Sequence, residues 1–264
     1  MSSHCILERV AETLSTNDDL MARWRAGELI DPIARLAQKQ TAGKGRAGRD
    51  WLARPQDSLC FSLAYPFQRK PADLSGLSLL VGLAVISGIS LALNLSKQAL
   101  HQKGLRLKWP NDLMLNQGKL GGILIEGGQT KLGDPSWMII GIGINLQNVN
   151  AFDEALHHEQ KVAALDQLLT AGEALPDTDW IWLKIVEELE SSLSSFDQTG
   201  FAPYQKLWMD WDAFQNTAVS ISGAGQEVIE GITKGVDTSG ALLLVSGEKI
   251  ISVHAGDVSL RVTK

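Results

Sequence analysis

From Leu74 to Ser96 the sequence runs LSGLSLLVGLAVISGISLALNLS without one charged residue. Such a stretch is long enough to span a bilayer as a helix, so it forces a choice between a membrane segment and a helix buried inside a large core. Ser75, Ser78, Ser87, Ser90 and Asn94 interrupt it, and no Trp or Tyr marks either end as an interfacial anchor. Nothing else in the chain is membrane-like. The stretch therefore reads as a helix buried against a β-sheet, its small residues allowing close packing on the strands. A chain of 264 residues, 44% of them hydrophobic, can supply that core as one main domain with a small appendage.

The sheet is sought on either side of this helix. Ile6 to Leu14 predicts a first strand, and Ser15-Thr16-Asn17 the N-cap of a helix running to about Ala26. Ile33 to Gln38 is a short apolar run, and Ser58 to Tyr65 a strand leading to Pro66. Leu105 to Trp109, Gly121 to Glu126 and Trp137 to Asn145 are three further strands. Asp153 to Ser195 is helical by composition and period, with Trp180 and Trp182 as packing residues. Between Thr217 and Val262 the pattern changes to short β-rich runs separated by turns such as Gly223-Ala224-Gly225 and Asp237-Thr238-Ser239-Gly240. That pattern predicts a small all-β barrel, dividing the chain into residues 1–213 and 214–264.

A net charge of −6 denies the chain the basic field of a general nucleic-acid binder, and Glu227, Glu230, Asp237, Glu248 and Asp257 argue the same for the barrel. Cys5 and Cys60 have no metal-ligand spacing and need no disulfide, so they read as small buried hydrophobes in a reducing cytoplasm. His4, His101, His157, His158 and His254 form neither a triad nor a metal set. Met1 to Arg9 lacks the apolar core of a signal peptide.

The chemistry gathers in four short motifs. Thr41 to Trp51, TAGKGRAGRDW, contains Gly43-x-Gly45-x-x-Gly48 and three cations, Lys44, Arg46 and Arg49. A dinucleotide-binding turn would open a helix at this point, but Arg49 to Asp57 shows no apolar helical period and carries Pro55. The alternatives are a solvated surface loop and a mobile loop that folds over an anion and stacks its tryptophan on a ring. Lys108-Trp109-Pro110-Asn111-Asp112 presents an amide and a carboxylate at the mouth of a strand. Two hard oxygens suit a nucleotide-bound Mg²⁺, and an Asn-Asp turn after proline is the bland alternative. Lys119, beside Gly121 and Gly122, places a point charge next to backbone that a ligand can approach, without the pattern of a Walker A loop. Gly141-Ile142-Gly143-Ile144-Asn145 is a glycine-interrupted strand, often only a tight packing site.

Taken together the motifs resemble the biotin protein ligase family in order and spacing. They are S-T-N at 15 to 17, G-x-G-R-x-G-R-x-W at 43 to 51, K-W-P-N-D at 108 to 112, K-L-x-G-I-L-x-E at 119 to 126 and G-I-G-I-N at 141 to 145. Gly231 to Asp237 and Ala255 to Val258 extend the resemblance to the C-terminal barrel. It implies an α+β fold, a mixed sheet packed with helices as in class II synthetases and the biotin and lipoate ligases, plus an SH3-like barrel. It also implies that Ser15, Thr16, Gln40, Gly43, Lys44, Gly121 and Gly122 hold biotin, with Arg46 and Lys119 as catalytic cations at the carboxylate and α-phosphate. Arg46, Arg49, Trp51, Lys108, Asn111, Lys119 and Asn145 would meet ATP and the adenylate, Trp51 covering the adenine, and Asn111 and Asp112 would serve Mg²⁺.

The implied reaction has two steps, formation of biotinyl-5'-AMP with loss of pyrophosphate and transfer of the acyl group to a lysine of a biotin carboxyl carrier protein. Asp112 is a candidate base for that lysine. Many members carry arginine at the positions of Lys44 and Ala47, which puts retention of the intermediate and homodimer formation by this loop in doubt. The chain starts at the catalytic motif, with no room for the helix-turn-helix domain of repressor members, so neither operator binding nor another nucleic-acid partner is expected, and no membrane partner. The rival readings are a lipoate or octanoate ligase or transferase of the same fold and, from another class, a nicotinamide-dependent oxidoreductase.

Overall fold

A computed structural model describes residues 5–149, 161–223, 228–256 and 258–263. Its main sheet contains seven strands: β1 (Ile6–Thr13), β2 (Ile33–Gln40), β3 (Ser58–Phe67), β4 (Leu105–Lys108), β5 (Asp112–Leu115), β6 (Gly118–Gly128) and β7 (Ser136–Asn145). Their order is β1-β2-β3-β7-β6-β5-β4, with β1 and β2 parallel and every other pair antiparallel. The uncharged run forms helix α2 (Leu77–Ala92), with twelve of its 16 residues buried. At 1.5 Å per residue the helix spans about 24 Å, and no helix of the described residues is long and apolar enough to cross a membrane. It is apolar all round because it lies between layers, packing on β6 and on the long helix α4 (Thr178–Thr199). Its small residues allow close approach to the sheet on one side and to α4 on the other. A Cβ on Gly82 would lie 2.9 Å from Leu107 of β4, and one on Gly88 2.5 Å from Ile185 Cα of α4.

Ser15 caps helix α1 (Thr16–Arg25) as expected from Ser-Thr-Asn, accepting from the Asp18 N–H. The strand predicted to lead up to Pro66 runs on to Phe67, because β2 stops pairing at Ala64 and leaves one side of the proline open. Trp109-Pro110 is a cis peptide in the turn between β4 and β5, and Asp112 opens β5, a strand that was not predicted.

Helix was expected from Asp153 to Ser195, but residues 161–177 are irregular apart from one 3-10 turn, Leu165–Leu168. Tertiary hydrogen bonds override helical propensity there: Lys119 N–H donates to Lys161 O, Ala163 N–H to Lys119 O and Asp166 N–H to Leu146 O. Residues 150–160 lie outside the described segments, as do His4, His157, His158, Glu227, Asp257 and part of the turn expected at Gly223 to Gly225. Trp182 is buried, whereas Trp180, expected to pack, is 46% exposed with Lys184 over its ring. Both cysteines are buried and unpaired, and burial pushes their thiols up, Cys60 to about 11 and Cys5 to about 12.

Helix α3 (Lys97–Gln102) precedes β4, and α5 (Gln205–Trp211) leads to a second sheet of β8 (Ala218–Gly223), β9 (Ile229–Val236), β10 (Leu242–Ser246), β11 (Lys249–Val253) and β12 (Val258–Val262). This sheet is antiparallel, ordered β11-β10-β9-β8-β12. Its inward residues Val219, Ile221, Leu242, Leu244 and Leu260 join the same hydrophobic cluster as Leu59 and Ile140 of the main sheet.

Asp212 sits at the junction of the two sheets, beside Leu107. Its Oδ1 accepts from Phe214 N–H at 3.0 Å while Oδ2 is buried with no hydrogen-bond partner among the described residues, and burial pushes the carboxyl up to about 6. A carboxyl raised in the folded state favours folding fully below its unfolded value near 4, and that contribution is lost as pH rises through about 6. Asp212→Asn is therefore expected to gain stability relative to wild type between pH 4 and 7.5, by on the order of 3 kcal/mol for a shift of about two units. Urea unfolding at both pH values checks this, and a difference that does not change with pH contradicts it.

Candidate functional site

Side chains alternate across a strand, so the paired residues Ala37, Cys60, Gly143, Gly122 and Asp112 form one row on a single face of the main sheet. Two residues along, Arg35, Ser62, Gly141 and Leu124 form the next row on that face. The opposite face carries Leu59, Phe61, Leu63, Ile140, Ile142 and Ile144 into the main core. The first face is bare at Gly122, Gly141 and Gly143. Helix α1 covers one end of it through Leu20 and Met21, which pack on Ala64 and Ile139. The remainder is a trough within a cavity of about 1040 Å³ that Phe214 and Val258 to Val262 also line.

One end of the trough is neutral and hydrogen-bonded. Ser15, Thr16 and Gln40 all line it. Thr16 donates its N–H to Gln40 Oε1 at 2.8 Å, and its hydroxyl lies 2.7 Å from Ser62 Oγ. Ser62 in turn donates to Asn17 Oδ1 at 2.6 Å, and Asn17 Nδ2 to Glu126 Oε2 at 2.9 Å. Asn17, Ser62 and Glu126 were not singled out from the sequence. Ser62 had a signal there, as a polar residue in an apolar strand, and Asn17 and Glu126 close two of the motifs.

The other end is cationic. Lys119 Nζ lies 2.7 Å from Asp112 Oδ1 and 5.8 Å from the Trp51 ring centre. Arg46 donates to Asn111 Oδ1 at 2.9 Å and to Gly256 O in the connection between β11 and β12. Arg49 and Lys108 line the same space. Burial pushes the Lys108 amine down, helped by the cations Lys119, Arg49 and Arg261 and opposed by Asp112. Lys161 and Arg261, which motif reading did not reach, add charge at the rim.

Lys44 lines the cavity, and its amine reaches back to Asp18 at 2.6 Å, which raises its pKa. Other placements differ from expectation. Gly121 is buried with its missing side chain aimed at Gly143 O, and Gly43 is occupied in pairing with Trp51, so neither lines the cavity. Asn145 lines it, but its Nδ2 braces Lys119 O and Ala163 O. No helix follows Gly48. The glycine loop is a small hairpin bridged at Lys44 and Asp50, with a 3-10 turn at Arg46–Gly48 in which Ala47 takes φ 54°. The hairpin lays Trp51 on the bare strip, where a Cβ on Gly143 would sit 2.4 Å from the indole. Among the described residues no cluster of three His, Cys, Asp or Glu could hold a metal ion.

The two glycines of β7 make a clean comparison. A Cβ on Gly141 would sit 2.4 Å from Oδ1 of Asn17, which is held on both sides by Ser62 and Glu126. Gly141→Ala is expected to cost about 1–3 kcal/mol, and Gly143→Ala clearly less because the hairpin can lift Trp51 away. Urea unfolding of both variants checks the order, and the reverse order contradicts it.

Two family models match the chain: the biotin/lipoate A/B protein ligase family over residues 10–145 and the biotin protein ligase C terminal domain over residues 216–261. The chain is 36% identical to the bifunctional ligase/repressor BirA of Escherichia coli over 247 residues, 94% of this chain and 71% of that protein. It is 33% identical to the biotin-[acetyl-CoA-carboxylase] ligase of Mycobacterium tuberculosis over 258 residues, 96% of this chain and 88% of that one. In fold it is similar to the biotin protein ligase from Aquifex aeolicus in complex with biotin and ATP, with a TM-score of 0.77 at 24% identity over 98% of this chain and 99% of that one. Both ends of the sequence and the architecture thus agree, and the chain belongs to the biotin protein ligase family.

Proposed function

We propose that the protein activates biotin with ATP as biotinyl-5'-AMP and transfers the biotinyl group to a lysine of the carrier protein of a biotin-dependent carboxylase. The observation that carries this reading is a single trough with a neutral hydrogen-bonding end at Ser15, Thr16 and Gln40 and a cationic end at Arg46, Lys108 and Lys119. A ureido ring fits the first and a carboxylate the second, with an apolar chain over the glycine strip between them. For the carboxylate to reach that end, Trp51 lifts from Gly143, and it is then placed to cover the adenine.

In the first step a carboxylate oxygen attacks the α-phosphorus, and the bond to the leaving pyrophosphate breaks. Two anions approach, so cations fixed in advance lower the barrier, and Lys119 and Arg46 take this role on leaving Asp112 and Asn111. Asn111 and Asp112 are adjacent hard oxygens, both now facing cations, a donor set that fits Mg²⁺ held mainly by the triphosphate. Mg²⁺ would neutralise phosphate charge there. In the second step the lysine amine attacks the acyl carbon, AMP leaves, and Asp112, released from Lys119, is the proposed acceptor of the amine proton.

The match to a biotin-type C-terminal domain favours biotin over lipoate or octanoate. We take the catalytic unit as residues 1–213 and the C-terminal module as 214–264, supported by the passage from α5 to the second sheet between Trp211 and Ala218. With a net charge of −6, only the ligase half of the bifunctional relatives' description is carried over, and the two unpaired buried cysteines support a reducing cytoplasm. Lys119→Ala is expected to lose about 2–4 kcal/mol of transition-state stabilisation, roughly 30- to 1000-fold in biotin-dependent pyrophosphate release. A rate within about threefold of wild type would sink that role for Lys119.

A further inference from the structure

The neutral end of the trough contains a hydrogen-bonded chain whose donors and acceptors are fixed from Glu126 as far as the Ser62 hydroxyl. Glu126 is a carboxylate and only accepts, so Asn17 must turn Nδ2 toward Glu126 Oε2 at 2.9 Å. Asn17 Oδ1 then faces Ser62, whose Oγ donates to it at 2.6 Å. Ser62 has a single proton, so toward Thr16 Oγ1, 2.7 Å away, it can only accept. The other neighbour of Thr16 Oγ1 is Gln40 Oε1 at 3.1 Å, already identified as an acceptor by the Thr16 N–H. Whichever neighbour takes it, the Thr16 proton stays inside the network. To a ligand, Thr16 Oγ1 offers lone pairs alone.

The surroundings make this polarity count. Thr16 and Asn17 are each 3% exposed and Ser62 is fully buried, so the chain lies in a low-dielectric setting where a mismatched partner is costly. Ser15 and Gln40 complete the pattern. Ser15 Oγ accepts from Asp18 N–H and keeps its own proton, and Gln40, with Oε1 turned to Thr16, gives one Nε2 proton to the Cys60 thiol and keeps the other. Two donors beside one acceptor complement a cyclic urea, whose carbonyl is flanked by N–H groups.

We propose that Glu126, acting through Asn17 and Ser62, is a positioning residue that holds Thr16 Oγ1 as an acceptor and so makes the site select a ligand N–H at this point. The inference rests on the biotin reading, in which that N–H belongs to the ureido ring. Glutamine at position 126 can donate to Asn17 Oδ1, which lets Asn17 turn over, reverses Ser62 and frees Thr16 to present its proton.

The test is calorimetric binding without ATP, comparing biotin with the two cyclic carbamate analogues in which one or the other ring N–H is an oxygen. Wild type is expected to prefer biotin over at least one analogue by about 100-fold or more, as sites built to pair a polar group reject partners lacking it. In Glu126→Gln that ratio is expected to fall by about tenfold or more, whatever happens to biotin affinity itself. Ser62→Ala removes the middle of the chain without adding bulk and is expected to shrink the ratio as well, which keeps the test open if Glu126→Gln fails to fold. Weaker biotin binding with an unchanged ratio in the folded variants would reduce Glu126 to a structural role and overturn the proposal, as would a wild type that does not discriminate. A wild type that binds none of the three ligands overturns the biotin reading itself, and shows it before any variant is made.

Discussion

The site depends on a strip of β-sheet from which side chains are missing. Gly122, Gly141 and Gly143 lie together on one face because strand pairing puts Gly122 opposite Gly143 and side-chain alternation returns Gly141 to the same side. At Gly141 the bare backbone admits the amide of Asn17, and at Gly143 it admits the indole of Trp51. Such a strip contributes little packing of its own, so the stability of the sheet has to come from its other face. Leu59, Phe61, Leu63, Ile140, Ile142 and Ile144 supply it, under α2 and α4. The long uncharged run and the glycine motifs are therefore two sides of one arrangement, a heavily buried face that allows the opposite face to stay open.

Charge is distributed along the trough with the same economy. Each of the two central cations already has an oxygen partner, Lys119 with Asp112 and Arg46 with Asn111. These contacts hold the side chains near where an anionic centre would develop, and a substrate exchanges one partner for another instead of ordering a free side chain. The second sheet takes part as well, through the rim residue Arg261 and, in its β11–β12 connection, Gly256 O at Arg46. Its core is continuous with that of the main sheet, so its placement at the cavity is backed by apolar contact.

Local patterns in the sequence reached much of this. The N-cap at Ser15, strands β1, β3 and β7, the burial of the uncharged helix and the β-rich character after Thr217 follow from spacing and propensity. What escaped was set by tertiary pairing. Residues 161–177 carry a helical composition but give their hydrogen bonds to the ends of β6 and β7. Of the two adjacent glycines, only alternation within β6 decides that Gly122 faces the trough while Gly121 faces away. The relay of Asn17, Ser62 and Glu126 joins three elements, so although each residue had a local signal, nothing local showed that they meet. The position of Trp51 was hidden for a similar reason, since a loop motif states which residues are present and not which strip of sheet they rest on.

The central claim is that this trough takes biotin and passes it to a carrier lysine. The most direct measurement is a competition in which the protein, ATP, Mg²⁺ and a biotin carboxyl carrier protein are incubated with equal amounts of biotin, lipoate and octanoate, and the acyl group on the carrier lysine is read by mass spectrometry. The account predicts a biotinyl adduct on one lysine, with no lipoyl or octanoyl adduct. A carrier acylated with lipoate or octanoate in place of biotin would contradict it.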